Sequence, residues 1–336
     1  MKVAITYILH QLLSIFSITS YPAPNTCSGD CWAHDPGLYQ RVSDGKYFRF
    51  ATGSGIHIHS ADTLYGPWKA IGEALPNGTV INHPGRSRLW APDIHYDQST
   101  KTYHMYYTVS TLGSRDSVIG FASSPDLTPE SWEDHGAVFR STKKDRYNAI
   151  DGNWVEIERK PYLNFGSYWD GLFQMPLSLT RDGNLKEEEK RHATHNPRDA
   201  LNHLAYNATG HHRIEAPFIF RHGSWYYLLF SSGRATKYEK TLPAQGEEYK
   251  IMVCRSKSGR GDFVDKSGKS CLESGGTILL ASHGNIYGPG GQGVFKDDQH
   301  GLVLFYHYAD KNIGLSSDQY QFGWNILRWE DDWPAL

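Results

Sequence analysis

Residues 214–233 read IEAPFIFRHGSWYYLLFSSG. Apolar and aromatic side chains alternate on both sides of a turn at His222-Gly223, the pattern of two half-buried antiparallel strands joined as a hairpin. The same frame recurs at 34–53 (HDPGLYQRVSDGKYFRFATG), 91–110 (APDIHYDQSTKTYHMYYTVS), 149–169 (AIDGNWVEIERKPYLNFGSYW) and 288–310 (GPGGQGVFKDDQHGLVLFYHYAD). Each unit opens on a small or turn-forming residue. A third strand is expected later in the unit, as at SVIGFASS (117–124), YKIMVCRS (249–256) and NIGLSSDQ (312–319). Five copies, each of three or four strands, predict an all-β fold, a five-bladed β-propeller. A β-sandwich would also give many short strands, but it would not repeat one head at every unit.

Those heads carry acids. Asp35, Asp93, Asp151 and Glu215 stand at matching places in units one to four, and Gln292 is the rough counterpart in unit five. The innermost strand of each blade runs along the central channel, so equivalent positions form a ring around one axis. Acids far apart in the chain then meet at one mouth.

The composition agrees. Lys plus Arg number 34 and Asp plus Glu 36 in 336 residues. No basic field is available for a nucleic acid or another polyanion. Ten Trp, 21 Tyr, 14 Phe and 33 Gly, against 4 Met, suit a strand-rich protein whose flat rings can meet the C–H faces of sugars. Residues 1–20, MKVAITYILHQLLSIFSITS, read as a secretory signal peptide cleaved near Ser20 rather than a membrane anchor. That leaves 21–336 as one catalytic domain with no membrane partner. The even number of cysteines fits an oxidising compartment, with Cys254–Cys271 and Cys27–Cys31 as the expected bridges. Neither pair has the partners or spacing of a zinc site. Asn77 and Asn207 head glycosylation sequons. A secreted, extracellular protein is expected.

At this point the chain resembles the endo-α-1,5-L-arabinanases of glycoside hydrolase family 43. The words that carry the likeness are AHDPGLYQ, LWAPDIHYD, NAIDGNWVE, YLNFGSYWDG, IEAPFIF, WYYLLFSSG, YGPGGQGVF and FYHYAD, in that order. The resemblance implies a propeller that hydrolyses arabinan and arabino-oligosaccharides of plant cell-wall pectin with inversion, and a monomer is expected. It implies Asp35 as general base, Glu215 as general acid, and Asp151 as the carboxylate that raises and orients the acid. Such a division suits inversion, where one carboxylate activates water while a protonated carboxyl meets the leaving oxygen. The alternative for Glu215 and Asp151 is an ion pair with Arg213 or Arg146. Asp93 is read as holding a blade start rather than as catalytic.

Trp90, Asn148, Ser167 and Trp169 neighbour the heads and are candidate sugar contacts. In the family, the histidine equivalent to His307 helps hold a hydrated calcium, or another ion, in the channel. Hydrogen bonding of His307 to Glu215 or to the sugar stays open beside that reading. Residues 181–212 are read as a charged, solvated loop whose His211 and His212 line one end of the cleft. Gly152 stands where many members have Pro, and Gly291 stands where exo-acting branches often carry His. The rival activities are an exo-acting α-L-arabinofuranosidase or β-xylosidase, and a non-catalytic sugar-binding propeller.

Overall fold

The computed structural model describes residues 21–177 and 201–336. The leader and most of the charged 181–212 stretch lie outside the described residues. Four four-stranded sheets and one three-stranded sheet follow one another along the chain. Blade one holds β1 (Gly37–Gln40), β2 (Tyr47–Ala51), β3 (His57–Ala61) and β4 (Lys69–Glu73). Blade two holds β5 (Trp90–Asp97), β6 (Thr102–Val109), β7 (Ser117–Ser124) and β8 (Glu133–Ser141). Blade three holds β9 (Asn153–Ile157), β10 (Lys160–Phe165), β11 (Leu172–Pro176) and β12 (Asn202–Ala205). Blade four holds β13 (Ile214–His222), β14 (Trp225–Ser232), β15 (Lys250–Ser256) and β16 (Thr277–Leu280). Blade five holds β17 (Ile286–Asp297), β18 (Gly301–Asp310) and β19 (Gln321–Ile326), and a hairpin of β20 (Arg328–Glu330) and β21 (Trp333–Ala335) ends the chain. All pairings are antiparallel between neighbours in sequence.

The first strand of each blade touches the first strands of both neighbouring blades, closing a ring of β1, β5, β9, β13 and β17. The fold is therefore the expected five-bladed propeller. Its core is divided accordingly into five apolar layers, one between each pair of adjacent blades. Phe50, Ile58, Met105 and Val118 fill the first layer, and Phe121, Phe139, Phe165 and Phe173 the second. Val155, Leu172, Leu228 and Phe263 fill the third, and Tyr227, Ile251, Leu304 and Tyr306 the fourth. Trp68, Val303, Phe322 and Trp324 close the fifth, between the last blade and the first. Each buried side chain of this kind is worth about 1.5–3 kcal/mol of transfer free energy. The ring is held by five such seams rather than by one central core.

The third strand of blade five differs from expectation. Residues 312–319 form turns, with Gly314 N–H bonded to Asp310 O, and the strand is Gln321–Ile326. Gly314 and the run of short polar residues after it favour turns, whereas Phe322 and Trp324 supply the alternation a buried strand needs. The outer edge of β19 is covered by the segment before blade one. Asn25 N–H donates to Trp324 O, Phe322 N–H to Cys31 O, and Ala33 N–H to Tyr320 O. Both expected disulfides are formed, and Cys27–Cys31 ties off the loop within this segment. Fully buried Arg49 donates to the carbonyls of Asp30 and Trp32 while lying between the rings of Trp68 and Phe322. The chain's start thus locks its last blade and delivers Asp35 to the axis.

Candidate active site

Five residues at the channel mouth share a left-handed backbone: Asp35 (φ 46°), Ala91 (43°), Asp151 (56°), Ala216 (55°) and Gly291 (58°). These are the true equivalents among the blade heads. In four of them the N–H donates to a side chain at or just past the end of the second strand of the preceding blade. Ala91 donates to Thr52 Oγ1 at 3.1 Å, Asp151 to Thr108 Oγ1 at 3.0 Å and Gly291 to Ser231 Oγ at 3.0 Å. Asp35 donates to His307 Nδ1 at 3.1 Å, so the histidine occupies the place of a hydroxyl residue elsewhere in the ring. The fifth head breaks the rule, since Ala216 N–H donates to the carboxylate of Asp151 at 3.1 Å.

This corrects the alignment by acids. Asp93 lies two residues after its blade's head and Glu215 one before. Bulges displace the register between Trp90 and Asp93 and between Glu215 and Phe218. Asp93 does hold a blade junction, accepting from Trp154 N–H at 2.8 Å and Asn153 Nδ2 at 3.2 Å. Burial raises its pKa to about 6. Asp35, Asp93 and Asp151 line an axial cavity of about 40 Å³ together with Gln292.

Asp35, Asp151 and Glu215 lie close enough to feel one another's charge, in different environments. Asp35 keeps 26% of its side chain exposed. Burial works to raise its pKa, but His34, His307 and the Thr52 hydroxyl outweigh it and hold the carboxyl at about 2. Burial also holds His34 down, at about 4, so His34 is charged where Asp35 titrates and its charge leads the depression. Glu215 accepts from Ser167 Oγ at 2.8 Å and from the Tyr249 hydroxyl at 2.9 Å. Burial raises its pKa, the two hydroxyls oppose that, and the Asp35 charge adds to it. Asp151 is pushed well up, by burial first and by the Glu215 and Asp35 charges next. Each of these two acids therefore holds its proton to higher pH than a free carboxyl does, since two buried like charges cannot both ionise cheaply. Among the described residues neither acid pairs with an arginine, and Arg146 faces Asp170 instead.

The other expected contacts divide. Trp90 is half-buried at the start of β5, one residue from Ala91. Trp169 has a left-handed backbone (φ 39°) and carries Arg115 over its ring at 5.4 Å. Ser167 is buried and its hydroxyl is spent on Glu215, so it places the acid rather than a sugar. Asn148 is buried with its carbonyl oxygen taken by Ser117, which sets it behind the mouth. His203 bonds Asp170 O and His212 bonds Asn207 O, so both serve local structure. Sequence reasoning missed Tyr249, which precedes β15 and has no motif around it. It also did not foresee that Gln292 clamps the acid's neighbour, donating to Ala216 O and accepting from Ser231.

His307 is fully buried between the rings of Tyr320 and Tyr249, and it does not bond Glu215. Its Nδ1 lies 3.3 Å from Asp35 Oδ1, and its Nε2 has no partner among the described residues. Nε2 can ligate a cation only as the tautomer in which Nδ1 carries the proton, which replaces the bond accepted from Asp35 N–H by one donated to Asp35 Oδ1. His34, Asp35 and His307 bring one ligand atom each within 4.8 Å of one another. Calcium wants six or more oxygens, so these residues fit it only with water filling most positions.

A ring of five sheets with acids at its axial mouth defines a glycoside-hydrolase type of propeller. The family model for glycosyl hydrolases family 43 matches residues 32–334, and the chain belongs to that family. It is 59% identical to arabinan endo-1,5-alpha-L-arabinosidase C of Emericella nidulans, over 96% of this chain and 99% of that one. It is 56% identical to a probable arabinan endo-1,5-alpha-L-arabinosidase C of Aspergillus terreus, over 96% and 98%. Among solved structures it is similar to the native arabinanase of Bacillus subtilis, with a TM-score of 0.76, 28% identity and coverage of 92% and 99%. An exo-1,5-alpha-L-arabinanase from a bovine ruminal metagenomic library superposes with a TM-score of 0.75, 29% identity and coverage of 92% and 98%.

Proposed function

We propose that this hydrolase is a secreted endo-arabinanase that cuts internal α-1,5-L-arabinofuranosidic bonds with inversion. The observation that carries the reading is the contrast among three mutually interacting carboxylates: Asp35 is held low, at about 2, while burial and like charge raise Asp151 and Glu215. Asp35 takes a proton from water as that water attacks the anomeric carbon. Glu215 delivers its proton to the oxygen of the leaving sugar as the glycosidic bond breaks. Asp151 accepts from Ala216 N–H with one oxygen, while Glu215, held by Ser167 and Tyr249, exchanges one of those bonds for the leaving oxygen. The role of Asp151 is to keep that proton on the pair and to fix the backbone beside the acid.

A cation on the axis, with His307 Nε2 as its protein ligand and water elsewhere, would supply positive charge beside Asp35. The disulfides and sequons support an extracellular site of action. The endo mode rests on the named relatives, since an exo-acting neighbour shares the scaffold. Gly291 supports it too: a Cβ there would stand 2.3 Å from Asp35 Oδ1 and 2.7 Å from His307 Nδ1, so no side chain fits without moving the base. Incubation with debranched arabinan tests the mode. Viscosity falling ahead of monomer release supports internal cutting, and monomer from the outset refutes it.

A further inference from the structure

A second cavity, of about 200 Å³, opens between blades three and four. Its wall includes Arg213 and Ile214, the two residues immediately before Glu215 in the chain. Tyr206 gives it an aromatic wall, and Glu247, Lys250 and Ser232 give it polar groups. Lys250 is held by Gly246 O at 2.6 Å. Among the described residues the side chains of Arg213 and Glu247 have neither a hydrogen bond nor an ion pair. Two cations and one carboxylate thus line one cavity, and Arg213 and Glu247 do not pair.

We infer that this cavity is a distal sugar-binding site for a furanosyl unit of the substrate. The volume suits one pentose. An aromatic wall facing a guanidinium, a carboxylate and a hydroxyl matches a neutral polyol, which offers both donors and acceptors. The inference rests on the proposed arabinan-cleaving activity and extends it to chain length. Asn207, the head of a sequon, also lines the cavity, so a glycan there would compete for the same space.

The test compares kcat/KM on linear arabino-oligosaccharides from trimer to octamer, for the wild type, Glu247→Ala and Arg213→Met, before and after enzymatic removal of N-glycans. One or two lost hydrogen bonds predict a loss of about 3- to 30-fold on the longer chains, as raised KM, with the trimer unchanged. Glu247 is exposed, so its truncation leaves the fold intact even if Arg213→Met does not. A length advantage equal to wild type in both variants, with and without glycan, overturns the assignment. So does a loss of equal size on trimer and octamer. Failure of the wild type to cleave any of the series sinks the activity itself and the cavity's role with it.

Discussion

Replacing Tyr249 by Phe isolates the control of the acid. The Tyr249 hydroxyl is 2.9 Å from Glu215 Oε1 and holds that group's pKa down against burial. Tyr249 is buried, and its ring lies beside His307 at 5.9 Å, a contact that Phe preserves. A hydrogen bond to a charged group contributes about 1.5–3 kcal/mol. Taking ~1.5 kcal/mol and 1.36 kcal/mol per pKa unit, the apparent pKa of the proton-holding pair rises by about one unit. The acid must be protonated to act, so the alkaline limb of the kcat/KM profile moves up by about one pH unit. The acid limb, set by Asp35 at about 2, lies below the range assayed. The assay is kcat/KM on arabino-oligosaccharides from pH 4 to 10, with circular dichroism to confirm folding. An alkaline limb that stays put or moves down in a folded variant refutes the reasoning.

Further predictions follow the same site. Glu215→Gln lowers turnover of arabinan by about 10²–10⁴-fold, but much less on an aryl arabinofuranoside whose phenol leaves without protonation. Asp35→Gly costs a similar factor, and added azide restores rate by forming the β-arabinofuranosyl azide, identified by NMR; an α-azide would contradict inversion. Gly291→Ala displaces Asp35 or His307 and forces a side chain into a left-handed backbone, so activity falls at least 10²-fold while far-ultraviolet dichroism is kept. Asp93 has a folded pKa near 6, above the 3.8 of the free side chain, so its contribution to stability is full below about 3.8 and is lost as pH rises through about 6. Asp93→Asn therefore flattens the dependence of Tm on pH between about 4 and 6. A slope unchanged from wild type would show that Asp93 does not carry it.

The repeat was legible because period-two alternation and turn residues are local, and they mark hairpins wherever they occur. The heads were legible as a set, yet their register was not. Matching acid to acid aligned Asp93 and Glu215 with Asp35, whereas the backbone aligns Ala91 and Ala216 with it. A bulge in the first strand changes which residue faces the axis, and side-chain type does not reveal where the bulge falls. Tyr249 and Thr52 lie just outside the strands of the acids' own blades, where no alternation marks them. The segment at 25–33 has no alternation to betray that it edges the last blade, because its disulfide loop interrupts the pairing.

The most direct measurement is the anomeric configuration of the first product, followed by proton NMR within seconds of mixing enzyme with debranched arabinan. Water activated by Asp35 opposite the leaving oxygen gives a new β-furanose reducing end before mutarotation sets in. An α product at the earliest time would mean the bond is cut through a covalent intermediate, and the roles given to Asp35 and Glu215 would be wrong.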